Sequence, residues 1–192
     1  ILTRAYDSVG TPAYAWTTIS GTQTNLYQTC RIAARSDNST AVIFATIAAQ
    51  TFQISRYNSA GGNVGNHSWS VTSQAGTAQY FDICCLPNDT LVGVYYNNPA
   101  NNVNIDPRYI TLPISNVLGT PVSVPAGGAN MTQNISAPNI YVAPLSSNGF
   151  IVFFSDSNGT TYYVPYNSAN VAQNIGTNVP VFLGLTAFGP TM

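Results

Sequence analysis

The sequence contains no lysine and no glutamate. Its charge rests on five arginines and six aspartates, and charged residues make up 6% of 192 positions. Lysine and glutamate are the usual residues of exposed helix faces, so their absence argues against helix. Without glutamate, no pair of glutamates can serve as acid and base. A net charge of −1 leaves no basic stripe for nucleic acid. The single histidine, His67 in Asn66-His67-Ser68-Trp69, excludes a two-histidine metal site. It completes a Ser-His-Asp set only on paper and reads as a turn or rim residue. No apolar run approaches the roughly 20 residues of a membrane span. The longest, Ala41 to Ala49, contains Thr46 and suits a buried strand. No calcium-loop or zinc-ligand spacing appears, and no cofactor is expected. The chain begins at Ile1 without methionine or signal segment, which reads as a processed product or a fragment.

What fills the chain instead is Val, Ile, Thr, Tyr and Phe, punctuated by Asn, Gly, Ser and Pro. This is a strand-and-turn composition and predicts an all-β protein. A tyrosine recurs before turn residues: Tyr6 in Arg4-Ala5-Tyr6-Asp7-Ser8-Val9-Gly10, Tyr57 in Arg56-Tyr57-Asn58-Ser59-Ala60-Gly61-Gly62, Tyr109 in Pro107-Arg108-Tyr109-Ile110, and Tyr166 in Pro165-Tyr166-Asn167-Ser168. The spacing of about 50 residues marks a repeat. Four strand types fit each unit. The first comprises Leu26 to Ala34, Gln79 to Leu86 and Asn139 to Leu145. The second comprises Ala41 to Ala49, Leu91 to Tyr96 and Phe150 to Ser155. The third comprises Phe52 to Tyr57, Val103 to Ile110 and Thr161 to Tyr166. The fourth comprises Ser68 to Thr72, Thr120 to Val124 and Val179 to Leu185. Residues 1–20 read as a half unit, with repeat units at 21–75, 76–125 and 126–192 of a single domain.

A second strand such as Phe150-Ile151-Val152-Phe153-Phe154, a turn, then a strand ending in Arg-Tyr-Asn/Asp-Ser-x-Gly resembles the propeller-like repeats of large secreted bacterial proteins. The resemblance implies antiparallel four-stranded units, about three and a half of them, in a β-propeller-like array, and it implies no reaction. A β-sandwich or jelly roll built from the same strands is the alternative.

Six Asn-x-Ser/Thr sequons occur, at Asn38, Asn66, Asn88, Asn130, Asn134 and Asn158. Asn38 and Asn88 fall in the same turn of two units and Asn158 in another turn, where a glycan fits. Cys30 and Cys84 both lie on first strands. Neighbours on a strand point to opposite faces, so a disulfide from Cys30 to either Cys84 or Cys85 is expected, with one thiol left over. Trp16 and Trp69 sit on fourth strands, as packing residues or as platforms for sugar rings. A hydrolase would have to use two of Asp7, Asp37, Asp82, Asp89, Asp106 and Asp156. Asp37, Asp89 and Asp156 are in turns that aspartate caps, and Asp7 stands where other copies have asparagine. That leaves Asp82 and Asp106 as the less explained pair.

These features point to a non-enzymatic, glycosylated protein of the extracellular space or the cell or virion surface. It would assemble with copies of itself into a filament, coat or layer. The apolar ends, Ile1 to Ser8 and Val181 to Met192, would add as strands to a neighbour. The alternative is a carbohydrate-binding, lectin-like adhesion module, and the third reading is an aspartate-dependent glycoside hydrolase. Partners are thus copies of the chain and glycans.

Overall fold

The computed structural model describes residues 2–3, 17–18, 26–46, 51–70, 80–97, 106–125, 129, 131 and 139–173. Tyr6, Asp7, Trp16, Asn130, Asn134, the expected strand Val179 to Leu185 and the chain end Val181 to Met192 lie outside the described residues, and of the end Ile1 to Ser8 only Leu2 and Thr3 are described.

Local geometry is set by a turn that keeps returning. Five residues take positive φ without being glycine, namely Asn38, Asp89, Asn116, Asn148 and Asn170, and Gly61 and Gly159 do so as well. Each is the fourth residue of a tight turn. Asn38 N–H donates to the Arg35 carbonyl and Arg35 N–H to the Ser39 carbonyl. The same pair of bonds joins Leu86 with Asp89 and Thr90, Leu145 with Asn148 and Gly149, and Asp156 with Gly159 and Thr160. A three-residue hairpin loop ending in a left-handed residue needs Gly, Asn or Asp there, because other side chains clash with their own backbone. Side chains reinforce the loops. Asp37 Oδ1 accepts from Ser39 N–H, Asn58 Oδ1 from Ala60 and Gly62, and Asn167 Oδ1 from Ala169 and Val171.

Between these turns run the strands. β1 (Leu2–Thr3) pairs with β2 (Thr17–Thr18) as a short antiparallel ladder. Sheet I is the meander β3 (Leu26–Ala34), β4 (Thr40–Thr46), β5 (Thr51–Tyr57) and β6 (Asn63–Ser70). Sheet II is β7 (Phe81–Cys85), β8 (Leu91–Asn97), β9 (Asp106–Leu112) and β10 (Val122–Ser123). Sheet III is β11 (Ile140–Pro144), β12 (Phe150–Ser155) and β13 (Thr161–Tyr166). All pairing is antiparallel, and no helix occurs among the described residues.

The ladders correct the repeat register. Tyr57 pairs with Thr40 and Tyr166 with Phe150, each opposite the first residue of a second strand. In sheet II that place belongs to Leu112, opposite Leu91, while Tyr109 lies opposite Val94. The turn after Leu112 carries Asn116 where the others carry Gly61 and Asn170. The tyrosine spacing therefore mixes two positions, and the turn is the feature that repeats.

Sheet II is covered on both faces. Leu91 and Tyr95 face sheet I with Phe81, Ile83, Ile110 and Leu112, against Ile43, Phe52, Ile54 and Trp69. Val92, Val94 and Tyr96 face sheet III, against Ile140, Val142, Phe150, Val152 and Phe154. Every residue of β8 is consequently buried, which explains its unbroken apolar run. Gly93 makes the first contact close: a Cβ there would lie 3.3 Å from Ile43 Cδ1. A two-sheet sandwich has no sheet covered in this way, so the three stacked meanders disagree with that alternative. The first strands lie side by side, β3 against β7 and β7 against β11. Asp82 on β7 fastens them, accepting from Val142 N–H at 3.1 Å and facing Arg31 of β3 at 3.9 Å.

Candidate functional site

Because β3, β7 and β11 are neighbours, the turns that follow them gather at one end of the sheets. They surround a shallow depression of about 280 Å³ lined by Ser36, Cys85, Pro87, Asp89, Pro144 and Ser146 among others. Asp89 is its charged group. The left-handed backbone at Asp89 turns the carboxylate away from its own loop, whose capping is done by Asn88 Oδ1 accepting from Thr90 N–H. Asp89 is thus free to reach sheet I, where it accepts from Ser36 N–H at 2.8 Å and Ser36 Oγ–H at 2.5 Å. Those two bonds hold its carboxyl below the ordinary range, against an opposing push from nearby Asp37. The Cys85 thiol is pushed up, first by burial and then by the Asp89 charge.

At neutral pH the depression therefore holds an ionised carboxylate bonded to Ser36, with Ser146 and two prolines beside it. This set suits a polyhydroxyl ligand with one ring face. A carboxylate with a lowered pKa accepts protons poorly as a general base and is not poised as a general acid.

The other residues singled out from sequence are dispersed. Asp82, whose carboxyl is pushed up by burial, is occupied between the first strands. Asp106 accepts from Arg108 Nε at 2.6 Å and from Ser123 Oγ. Across β8, Asp82 aligns with Val94 and Tyr109, three residues from Asp106. Strand spacing and rise put the two on the order of 14 Å apart, against roughly 5–9.5 Å for a catalytic carboxylate pair. The structure does not bring them together. Asp156 is buried, and its Oδ1 accepts from Asn158 and Thr160 N–H, as a turn cap should.

Trp69 is buried, stacked on Phe52 at 5.7 Å between centroids and tilted against Tyr95. It packs between sheets I and II and presents no open face to a sugar. The thiols of Cys30, Cys84 and Cys85 are free here. Each packs in a different apolar cluster: Cys30 with Phe44 and Tyr57, Cys84 between sheets II and III, and Cys85 toward sheet I. Asn38, Asn66, Asn88 and Asn158 are all exposed. His67 lies on β6, half-buried, and not in a turn. No group of three or more potential metal ligands occurs among the described residues. Among them, too, no helix is long and apolar enough to cross a membrane. Sequence reasoning missed Ser36, Pro87, Pro144 and Ser146 as one site, since only packing unites turns from three sheets.

No protein-family model and no curated protein matches the chain. Solved structures match in fold. A lectin from Burkholderia pseudomallei, BP39L, superposes with a TM-score of 0.58 at 14% identity over 87% of this chain and 45% of the lectin. The GH93 α-L-arabinofuranosidase of Fusarium graminearum gives 0.55 at 10% identity, covering 83% and 52%. The α-L-arabinanase of Penicillium chrysogenum gives 0.52 at 12% identity, covering 82% and 50%. These are propeller-like proteins, and the chain spans about half of their length. At such identity the likeness concerns the fold alone. It nevertheless overturns the non-enzymatic expectation, because the same stacking of sheets carries glycoside hydrolases.

Proposed function

We propose that the chain is a carbohydrate-recognising portion of a β-propeller, with the depression at Asp89 as its sugar contact. The observation that carries this is the gathering of three turns from consecutive sheets around an ionised carboxylate, two serines and two prolines. A fold shared with a lectin and with two arabinan-directed hydrolases supports carbohydrate over the filament-subunit reading. On this reading the units 21–75, 76–125 and 126–192 are successive blades of one domain. The blades needed to close the ring come from further chain or from a second copy. The extracellular placement belongs to the same proposal, with glycans at Asn38, Asn88 and Asn158. Native protein would then exceed 20.4 kDa in mass, and a bare-chain mass from the native source removes the glycan claim.

A glycan array that includes arabino-oligosaccharides, read alongside reducing-end release, tests the function. Asp89→Asn preserves the left-handed backbone that Asn tolerates and removes the charge. It is expected to weaken sugar binding about tenfold or more, as losing a charge-assisted hydrogen bond does. Absence of any bound glycan, or equal binding by the variant, overturns the assignment. Reducing-end release makes hydrolysis, the second reading, visible in the same experiment.

A further inference from the structure

At one end of the interface between sheets I and II, beneath the turn that follows β9, the buried Arg35 guanidinium and the inner nitrogens of the half-buried Arg56 face the same interface. Arg35 is 6% exposed, and one Nη donates to the Leu112 carbonyl at 3.2 Å. Its Nε is buried and has no partner, and the same holds for Nε and Nη1 of Arg56. Neither side chain has a carboxylate in ion-pair contact among the described residues. Burial and the neighbouring Arg35 charge both push the Arg56 pKa down, although Asp37 opposes this from the surface. His67 joins them. It stands diagonally across β5 and β6 from Arg56, since Ile54 faces His67 and Arg56 faces Gly65. Its Nε2 is likewise buried and unpartnered. Gly65 keeps His67 and Asn116 close to it: a Cβ there would be in ordinary contact, 3.6 Å from His67 Nε2 and 3.9 Å from Asn116 Nδ2.

The fold does not require these cations, and the other two sheets show it. The place of Arg35, whose N–H closes the first turn of its sheet, is taken by Leu86 and Leu145. The place of Arg56, opposite the second residue of a second strand, is taken by Thr111 and Pro165. Burying Arg35 beside the partly buried Arg56, with donors unmet on both, costs stability. Sheet I bears that cost where its sister sheets use neutral residues. Planar guanidiniums with unmet N–H groups match the oxygens of a carboxylate, sulfate or phosphate.

We propose that Arg35 and Arg56, with His67 diagonally across from Arg56, form an oxyanion-binding site reached from the exposed side of Arg56. Its ligand is the acidic group of an incoming molecule, either a uronate carboxylate on a glycan or a sulfate or phosphate. The site adjoins the Asp89 depression, since Ser36 follows Arg35 and the Arg35 charge acts on Asp89, but its donors belong to Arg35, Arg56 and His67, and it stands whether or not that depression binds sugar.

The experiment is thermal unfolding in an oxyanion-free buffer. Oligogalacturonate, inorganic sulfate or inorganic phosphate is added, with sodium chloride of equal ionic strength as control. The wild type is expected to gain melting temperature saturably with at least one oxyanion and not with chloride. A response to oligogalacturonate alone places the ligand among acidic glycans, and a response to sulfate or phosphate alone places it among those oxyanions. The double variant Arg35→Leu, Arg56→Thr installs the residues of sheet II. It is expected to melt no lower than wild type without oxyanion and to lose the oxyanion response. Arg56→Gln keeps the stem and loses the charge, and should weaken binding about tenfold or more. No saturable oxyanion response in the wild type, or an equal response in both arginine variants, overturns the proposal and leaves the unmet donors to water.

Discussion

Removing one hydroxyl tests how sheets II and III are held together. Tyr96 is fully buried, and its ring sits among the apolar residues between those sheets. Its hydroxyl lies 2.9 Å from the Asn139 carbonyl and 3.0 Å from the Ser155 carbonyl, and it accepts from Ser155 N–H at 3.1 Å. Tyr96→Phe keeps the ring and its contacts and deletes only these bonds. Ser155 N–H retains the Asn139 carbonyl at 3.0 Å, so that pair is not orphaned. The Ser155 carbonyl loses the hydroxyl in a site water does not reach. Losing the net value of the bond and leaving a buried acceptor unmet together cost about 1–3 kcal/mol. For a chain of this size that is a fall in melting temperature of roughly 2–10 °C. In urea the midpoint should drop with an unchanged slope, because the surface exposed on unfolding is the same. Tyr96→Ala should cost about 3–5 kcal/mol, the price of a ring-sized cavity. If Tyr96→Phe stays within about 0.5 kcal/mol of the parent, the hydroxyl does not clamp the sheets and the reasoning fails.

Two further outcomes follow from the buried tyrosines and from one glycine. Burial pushes the Cys84 thiol and the Tyr95 phenol both up to about 12, from 9.0 and 10.0 respectively, and raises Tyr96, Tyr109 and Tyr166 as well. In the unfolded chain these groups lose protons first, so stability is fully present below about pH 9 and falls as pH rises toward 12. Urea midpoints should hold up to about pH 9 and decline from there to pH 11, and a flat profile contradicts this. Gly149 packs against the Tyr166 carbonyl with no room for a Cβ, so Gly149→Ala should cost about 1–3 kcal/mol of overpacking. An unchanged melting temperature would show that β12 and β13 do not meet as described.

The all-β class and the turns were legible locally. Asn, Asp or Gly at a left-handed position is a steric requirement of the turn itself, so Ser36-Asp37-Asn38 or Asp156-Ser157-Asn158-Gly159 announces a hairpin wherever it lies. Leu26–Ala34, Phe150–Ser155 and Thr161–Tyr166 could be delimited from such punctuation alone. Register was less legible, because tyrosine suits any buried strand position: Tyr109 satisfied the pattern while Leu112 held the place. The functional geometry was not legible. Asp89 looks like a turn cap in sequence, yet its neighbour Asn88 caps the turn and Asp89 serves Ser36, 53 residues away. Trp69 looks like a platform or a core residue, and only the approach of Phe52 and Tyr95 decides for core. Arg35 and Arg56 carry no local sign of burial, since an arginine beside a turn is ordinarily solvated. Sequence alone thus determined what short-range sterics and composition control, namely strands, turns and the absence of helix among the described residues. Which residues share a depression or a buried interface is a long-range property. It was decided only when sheet II was covered on both faces and the first strands came to lie side by side.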